Sequence, residues 1–418
     1  MGVEVTLRRL LKGFYDSTEI NSVPEIGSRE FGIGEFGKKI SARHLAFKNA
    51  TELNDFLREK TPFYISYSCA RYELPAARPM DAKKMSGSDL IYEFDADDLK
   101  TDCKSRHDSW KCINPACGKE GRGNQKKCDN CGSGTKVDEW VCSECLGETK
   151  KQTQKLHSFL QGDFGFSEKD MAVNFSGSKG FHTHVRAKSI QKLSKSARIE
   201  LLDYFSAKNL DLSALGFAFN PEKKCYVCPN KNEAKGWVTR LQDQIKSVFD
   251  SGNPDKLAIM GNITTKKATS LLKEKRRIFD AMDSKGLLLD PTKGADVTKK
   301  FWGSFLPKAI DEAKIEMYVN DIDRQTSVDI NKIIRVPNTI HGSTGLLAKT
   351  VEFSALGGFD PLKESVVLPE TEMKLLNATS PEFFLAGKKF GPFNNGDVSL
   401  PSYAAFFLLA RGAAKEAL

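Results

Sequence analysis

Apolar and polar positions change their period several times along the chain. Leu7, Leu10, Leu11 and Phe14 recur at helical spacing in a basic opening stretch, and the glycine-punctuated run Arg29–Gly34 predicts a turn or hairpin. Pro62–Ser68 and Asp89–Asp97 read as strands, Lys151–Leu160 as a helix, and Met171–Ser176 as a strand that ends in Gly177. From about Ser189 to Lys314 the pattern turns to long, Lys-rich, helix-period segments such as Ala197–Ala207 and Ala268–Met282, which predict a mainly helical lobe inserted between strand-rich parts. Strand character returns at Ile330–Val336 and Lys349–Phe353. The final stretch, about sixty residues, shows turns and short apolar clusters without evident chemistry.

A chain of 418 residues exceeds what one core usually serves, so two or three folded units are expected. With 40% hydrophobic and 28% charged residues it is neither collagenous nor disordered. The longest apolar run, Tyr403–Ala410, falls far short of the roughly 20 residues that cross a bilayer, and no signal segment opens the chain. An intracellular protein without membrane contact is expected. Lys and Arg outnumber Asp and Glu by 63 to 54, a net charge of +9 that favours polyanionic partners such as nucleic acid. Lys266–Arg277 carries six of these cations against the single acid Glu274, which suits either a solvated helix face or a nucleic-acid contact.

Seven of the ten cysteines lie between Cys103 and Cys145, and without a secretory signal such clustering reads as metal ligation before disulfides. The pairs are Cys103-x3-His107, Cys112-x4-Cys117, Cys128-x2-Cys131 and Cys142-x2-Cys145, enough for two tetrahedral zinc sites. A nested arrangement puts Cys112, Cys117, Cys128 and Cys131 in an inner ribbon closed by an outer site of Cys103, His107, Cys142 and Cys145. An alternating arrangement would lengthen both loop closures. Closed four-ligand sites are structural, so chemistry must be sought elsewhere. Cys225 and Cys228 resemble half a site with no second pair, and packing explains them more simply.

Three constellations carry candidate chemistry. Along the strand Leu90–Asp97, alternation puts Glu93, Asp95 and Asp97 on one face at roughly 7 Å intervals, unfavourable unless cations such as Mg²⁺ or Mn²⁺ lie between them; a solvated edge strand is the plainer reading. Ser176-Gly177-Ser178-Lys179-Gly180-Phe181-His182 follows an apolar strand. Its two glycines admit an anion to backbone N–H groups while Ser176, Lys179 and His182 offer donors, although a plain strand turn accommodates the same residues. The third combines Asp323 with Arg335 and His341, a carboxylate to complete a metal cluster and two holders of a phosphate chain; singly, each is an ordinary surface or turn residue.

In this order, with the zinc ligands between the first two, these motifs make the chain resemble the small catalytic subunit of archaeal and eukaryotic replicative DNA primases. The resemblance also includes Arg29–Gly32, Tyr67–Tyr72, Asp163–Phe166 and the element Arg335–His341 followed by Gly345-Leu346. It implies an α/β (α+β) fold of the archaeo-eukaryotic primase class, with mixed or antiparallel sheets, an inserted zinc-binding module and a helical lobe. On that scheme residues 1–102, 151–190 and 315–418 form the catalytic domain, 103–150 the zinc module and 191–314 the helical insertion.

The activity implied is template-directed synthesis of short RNA primers by two-metal nucleotidyl transfer. Glu93, Asp95 and Asp323 would hold two Mg²⁺ or Mn²⁺ ions, with Asp97 a further candidate and Asp321 ranked below Asp323. Ser176, Gly177, Lys179, Gly180, His182, Arg335, His341 and Arg71 would hold the nucleotide. The family zinc site falls on Cys103, His107, Cys142 and Cys145, which makes the inner ribbon an added module with its own Zn²⁺. Implied partners are an iron–sulfur-bearing primase large subunit in a heterodimer, a single-stranded DNA template with its RNA or DNA primer, and NTPs, with dNTPs a further candidate. The implied location is the cytoplasm of an archaeon, at the nucleoid, or a eukaryotic nucleus. Two other readings are a stand-alone primase-polymerase of repair or mobile elements and a non-enzymatic zinc-ribbon nucleic-acid-binding protein.

Overall fold

The computed structural model describes residues 2–289, 295–316 and 328–417. The chain divides into two compact units, one of Met1–Gln154, Phe166–Ile199 and Met317–Leu418, the other of Lys155–Gly165 and Glu200–Glu316.

In the first unit, helix α1 (Val3–Ser17) buries Leu7, Leu11 and Tyr15, one face met every fourth residue. Helix α2 (Ala50–Lys60) begins at Asn49, whose side chain accepts the Glu52 amide at 3.0 Å, while the Glu52 carboxylate accepts the Lys48 amide at 2.8 Å. Two four-stranded antiparallel sheets follow. The first contains β1 (Phe31–Glu35), β2 (Lys38–Leu45), β3 (Tyr64–Ser68) and β15 (Ile333–Arg335) in the order β15-β3-β1-β2. A short ribbon of β4 (Ala70–Tyr72) and β5 (Met85–Ser88) leads to the second, in which β6 (Leu90–Asp95), β10 (Met171–Phe175), β11 (Gly180–Val185) and β16 (Thr350–Val351) take the order β16-β10-β11-β6. Phe31 and Tyr67 of the first sheet and Ile91, Phe175 and Phe181 of the second share one apolar cluster, so the sheets are held at a fixed mutual position. Each such side chain, fully buried, contributes about 2 kcal/mol.

Between the sheets' strands runs the cysteine-rich module: a one-turn helix α3 (Lys104–His107), then β7 (Ser109–Cys112), β8 (Glu120–Arg122) and β9 (Thr135–Asp138) in the order β8-β7-β9, and then α4 (Ser143–Gly162). The final stretch is more regular than its sequence predicts. It forms the hairpin of β17 (Glu372–Ser380) and β20 (Phe393–Pro401), with β18 (Phe383–Leu385) and β19 (Lys388–Phe390) at its end and β21 (Lys415–Glu416) alongside. The apolar run lies in a buried helix, Ser402–Arg411.

The second unit is mainly helical. Helix α5 (Lys195–Phe205) enters it, followed by α6 (Trp237–Asp250), α7 (Pro254–Gly261), α8 (Thr265–Lys273), α9 (Lys275–Lys285) and α10 (Ala295–Ala313), with a small sheet of β12 (Ala218–Asn220), β13 (Cys225–Val227) and β14 (Leu287–Leu288). Trp302, Phe249, Phe301 and Phe305 form its core. The segment expected as one helix over Ala268–Met282 is two helices, broken at Glu274. Cys225 and Cys228 are buried, and no four-ligand group forms around them among the described residues. Nor is any helix among those residues long and apolar enough to cross a membrane.

Behind the first sheet lies an ionic knot. Arg29, fully buried, donates to Asp89 at 2.9 Å and to the Ser68 and Cys69 carbonyls at 3.1 and 2.7 Å. Arg29→Ala would strand these acceptors in the core, and a loss of about 3–5 kcal/mol is expected, read as a lower urea midpoint. A change within about 0.5 kcal/mol would show that the knot is not stabilising.

Candidate active site

Alternation along β6 buries Tyr92 and Phe94 in the core and leaves Glu93 and Asp95, half-buried, on the opposite face. The strand is shorter than expected. It ends at Asp95, and Asp97 belongs to the one-turn 3-10 helix Ala96–Asp98, so the three acids do not share a strand face. All three nonetheless line one cleft of about 560 Å³, together with Ser176, Lys179, His182, Arg335 and His341. Convergence follows from register, since Glu93 lies opposite His182 and Asp95 opposite Gly180 in the β6–β11 ladder.

Gly177 and Gly180 let the intervening loop close over Asp95. Gly177 adopts φ +77°, and a Cβ at Gly180 would come within 1.8 Å of the Phe94 carbonyl oxygen. The Ser176 hydroxyl oxygen accepts the amides of Ser178 and Gly180 at 3.2 Å each, which fixes the turn. Across the cleft, Tyr64 positions two donors: the Arg335 guanidinium lies over its ring at 5.0 Å and the His341 ring meets it edge-on at 5.5 Å.

The electrostatics are opposed within this one cavity. Burial, then repulsion from Glu93, Asp97 and Asp98, pushes the Asp95 carboxyl up to about 7. Burial works against Glu93 as well, but His182 and Lys332 overcome it and hold this carboxyl below its ordinary range; Lys332 forms an ion pair with it. Burial lowers His182 to about 4 and His341 well below its usual value, so both are neutral donors or acceptors at physiological pH. Burial also lowers Arg335, to about 10, and one of its terminal nitrogens, Nη1, is buried without a hydrogen-bond partner among the described residues. A buried guanidinium nitrogen left unpaired costs free energy until an anion arrives, just as crowded carboxylates do until a cation arrives. Glu93 and Asp95 therefore fit a divalent ion, and Arg335 fits the phosphates that such an ion accompanies.

Lys179 also lines the cleft, but its ammonium is already shared, at 2.7 Å each, by Asp97 and by Glu139 of the zinc module. Arg71 does not line the cleft. It spans Asp89 at 2.9 Å and Glu25 at 3.1 Å, part of the knot around Arg29. Asp323 and Asp321 lie outside the described residues. Sequence reasoning missed Lys332, Lys39, Ser66 and Ser343, all on the cleft wall. Lys332 had a signal, a lysine flanking the same short apolar strand as Arg335. Lys39 and Ser66 had none, since only the fold of the first sheet brings them to Glu93.

Both expected metal groups assemble in the nested pairing. Cys103, His107, Cys142 and Cys145 gather in one, Cys112, Cys117, Cys128 and Cys131 in the other, with ligand atoms within 4.8 Å of each other. Sulfur separations of 3.2 and 3.8 Å in the outer group and 3.5 and 3.8 Å in the inner one approach the edge of a tetrahedron with Zn–S near about 2.3 Å. His107 presents Nε2 to the Cys145 sulfur at 3.2 Å, and its Nδ1 meets Asp108 at 2.8 Å, an orienting carboxylate of the kind zinc-bound histidines use. The module can hold two zinc ions.

A family profile described as the DNA primase small subunit matches residues 134–353. The chain is similar to the DNA primase small subunit PriS of Methanothrix thermoacetophila, 28% identical with 98% of each chain covered. It is similar also to PriS of Nitrosopumilus maritimus, 29% identical over 96% of this chain and 95% of the relative, and of Cenarchaeum symbiosum, 28% identical over 97% and 96%. The family profile spans more than half of the sequence, across β10, β11, the 176–180 loop and the Arg335–His341 element, and the chain belongs to the DNA primase small subunit family.

Proposed function

We propose that this chain is the catalytic subunit of a replicative primase, a nucleotidyltransferase that joins NTPs into short RNA primers on single-stranded DNA. Archaeal relatives aligned over nearly their whole length support the replicative reading, and with it a heterodimer with a primase large subunit. The observation that carries the chemistry is the cleft's double deficit: a buried Asp95 carboxylate crowded by other acids and short of a cation, and a buried arginine short of an anion. A metal-bound nucleoside triphosphate satisfies both.

Glu93, Asp95 and, outside the described residues, Asp323 would hold the divalent ions, Mg²⁺ or Mn²⁺. When bound, these supply a lowered pKa for the primer 3′-hydroxyl and charge neutralisation for the departing pyrophosphate. The chain's own groups position the triphosphate. Arg335, braced by Tyr64, presents its guanidinium to phosphate oxygens, and neutral His182 and His341 add hydrogen bonds without competing with the metal for the carboxylates. The loop 176–180 closes that end of the cleft. Lys332 neutralises Glu93 in the free protein and must share it when a cation binds.

Incubation with a homopolymer DNA template, labelled complementary NTP and Mn²⁺ is expected to give labelled oligomers that disappear with a chelator. Absence of oligomers, both alone and with the co-purified large subunit, would overturn the reading in favour of a zinc-ribbon binding protein.

A further inference from the structure

A second concavity, of about 720 Å³, lies between the zinc-module sheet and the hairpin of β17 and β20. In β7, Trp110 and Cys112 turn toward the cysteine cluster, so Lys111 faces out. Directly opposite Lys111 stands Lys136 of β9, and Arg122 of β8 stands opposite Ser109 on the same face. On its other side Lys111 stands opposite Glu120 of β8, so this row sets one acid against two lysines and keeps a net positive charge that an anion would balance. None of these three cations has an ion-pair partner among the described residues; Arg122 also donates to the Arg106 carbonyl at 3.2 Å, which leaves its charge unpaired. Of the acids on the same wall, Asp138 is held by the Trp140 indole at 2.8 Å and Arg411 at 3.1 Å, which leaves Glu120 alone against three positive charges. The hairpin wall adds Phe393 and Ser380, and Ser380 is more than nine-tenths buried with a hydroxyl that has no partner among the described residues.

We propose that this groove holds the sugar–phosphate backbone of single-stranded nucleic acid extending from the active-site cleft. Continuity supports the path: Asp138 lines the groove, and Glu139, the next residue, grips Lys179 in the cleft. Unpaired cations suit phosphates, the Ser380 hydroxyl suits a phosphate or sugar oxygen, and Phe393 offers an aromatic surface to a base that has no complement. The inner ribbon thereby gains a task that its closed metal site alone does not give it. The proposal rests on the primase reading for which strand arrives, not for the binding itself.

The test is fluorescence anisotropy of the full chain with a labelled oligo-dT and its RNA counterpart between about 50 and 200 mM salt. The double substitution Lys111→Ala/Lys136→Ala is expected to weaken binding about tenfold at low salt. It should also flatten the log–log salt dependence by about 1.4, two contacts at about 0.7 each on a single strand. Phe393→Ala on the opposite wall is expected to weaken binding about tenfold with the slope unchanged. Losses on the DNA alone identify a template track, and equal losses on both strands a general backbone track. Wild-type affinity and slope in both variants, with two zinc ions retained per chain, would overturn the groove, and if wild-type protein still incorporates nucleotides the primase reading survives that result. If the lysine variant loses zinc, the Phe393 variant decides.

Discussion

Asp95→Ala is expected to lower nucleotide incorporation on a single-stranded template by about 10²–10³-fold or more, the scale on which removal of one preorganised charge from a reacting centre is felt. Asp95 is singled out over its neighbours by its surroundings. Glu93 shares Lys332 and Asp97 shares Lys179, but the net effect of burial and three nearby acids is to push Asp95 up to about 7. A charge so placed is unfavourable in the free protein and useful only with a cation. The isosteric Asp95→Asn should therefore be equally inactive yet no less stable, and more stable by about 1 kcal/mol when divalent ions are absent, because it removes the repulsion without opening a cavity. Incorporation within tenfold of wild type would remove Asp95 from the metal site. Marked destabilisation of Asp95→Asn would make its role structural.

Much of this arrangement was legible because two periodicities and one spacing rule do different work. Period-two alternation identified Glu93 and Asp95 as neighbours on a strand face, and the cysteine spacings gave both ligand groups, since a chain returning to a tetrahedral site leaves a short local signature. Asp97 shows where alternation stops being informative. The backbone leaves the strand after Asp95, and no apolar pattern marks that departure. Arg71 was misplaced for the opposite reason: it sits within a recognisable stretch, but its partner Asp89 lies across the β4–β5 ribbon, and only the fold reveals that the ion pair uses it up. The β17–β20 hairpin escaped notice because its exposed positions outnumber its buried ones, so Leu375, Ala378 and Leu400 give too sparse a stripe to read. Arg335 and His341 were legible as candidates, whereas their common support, Tyr64, was not, because an aromatic in a fully buried strand reads as core.

The two metal groups are expected to respond differently to loss of a ligand. Wild-type protein should carry two zinc ions, and Cys145→Ser or Cys117→Ser one each. The outer group ties down more of the fold. Cys103 and Cys145 pack against Ala96, the first residue after strand β6, and Cys142 immediately precedes helix α4. Opening that site frees both the turn after β6 and the start of a twenty-residue helix, so Cys145→Ser should cost more than about 4 kcal/mol, lower the midpoint of thermal unfolding by about 10 °C and abolish incorporation. The inner group holds only β7, β8 and β9, whose small cluster of Trp110, Cys112 and Cys128 stands apart from the main core. Cys117→Ser should leave the main unfolding transition within a few degrees of wild type while weakening oligonucleotide binding about as much as the Lys111 and Lys136 double substitution. Zinc stoichiometry, calorimetry and anisotropy on the same two variants decide the matter. If Cys117→Ser unfolds the protein as thoroughly as Cys145→Ser, the ribbon is part of the catalytic core and not a module mounted on it.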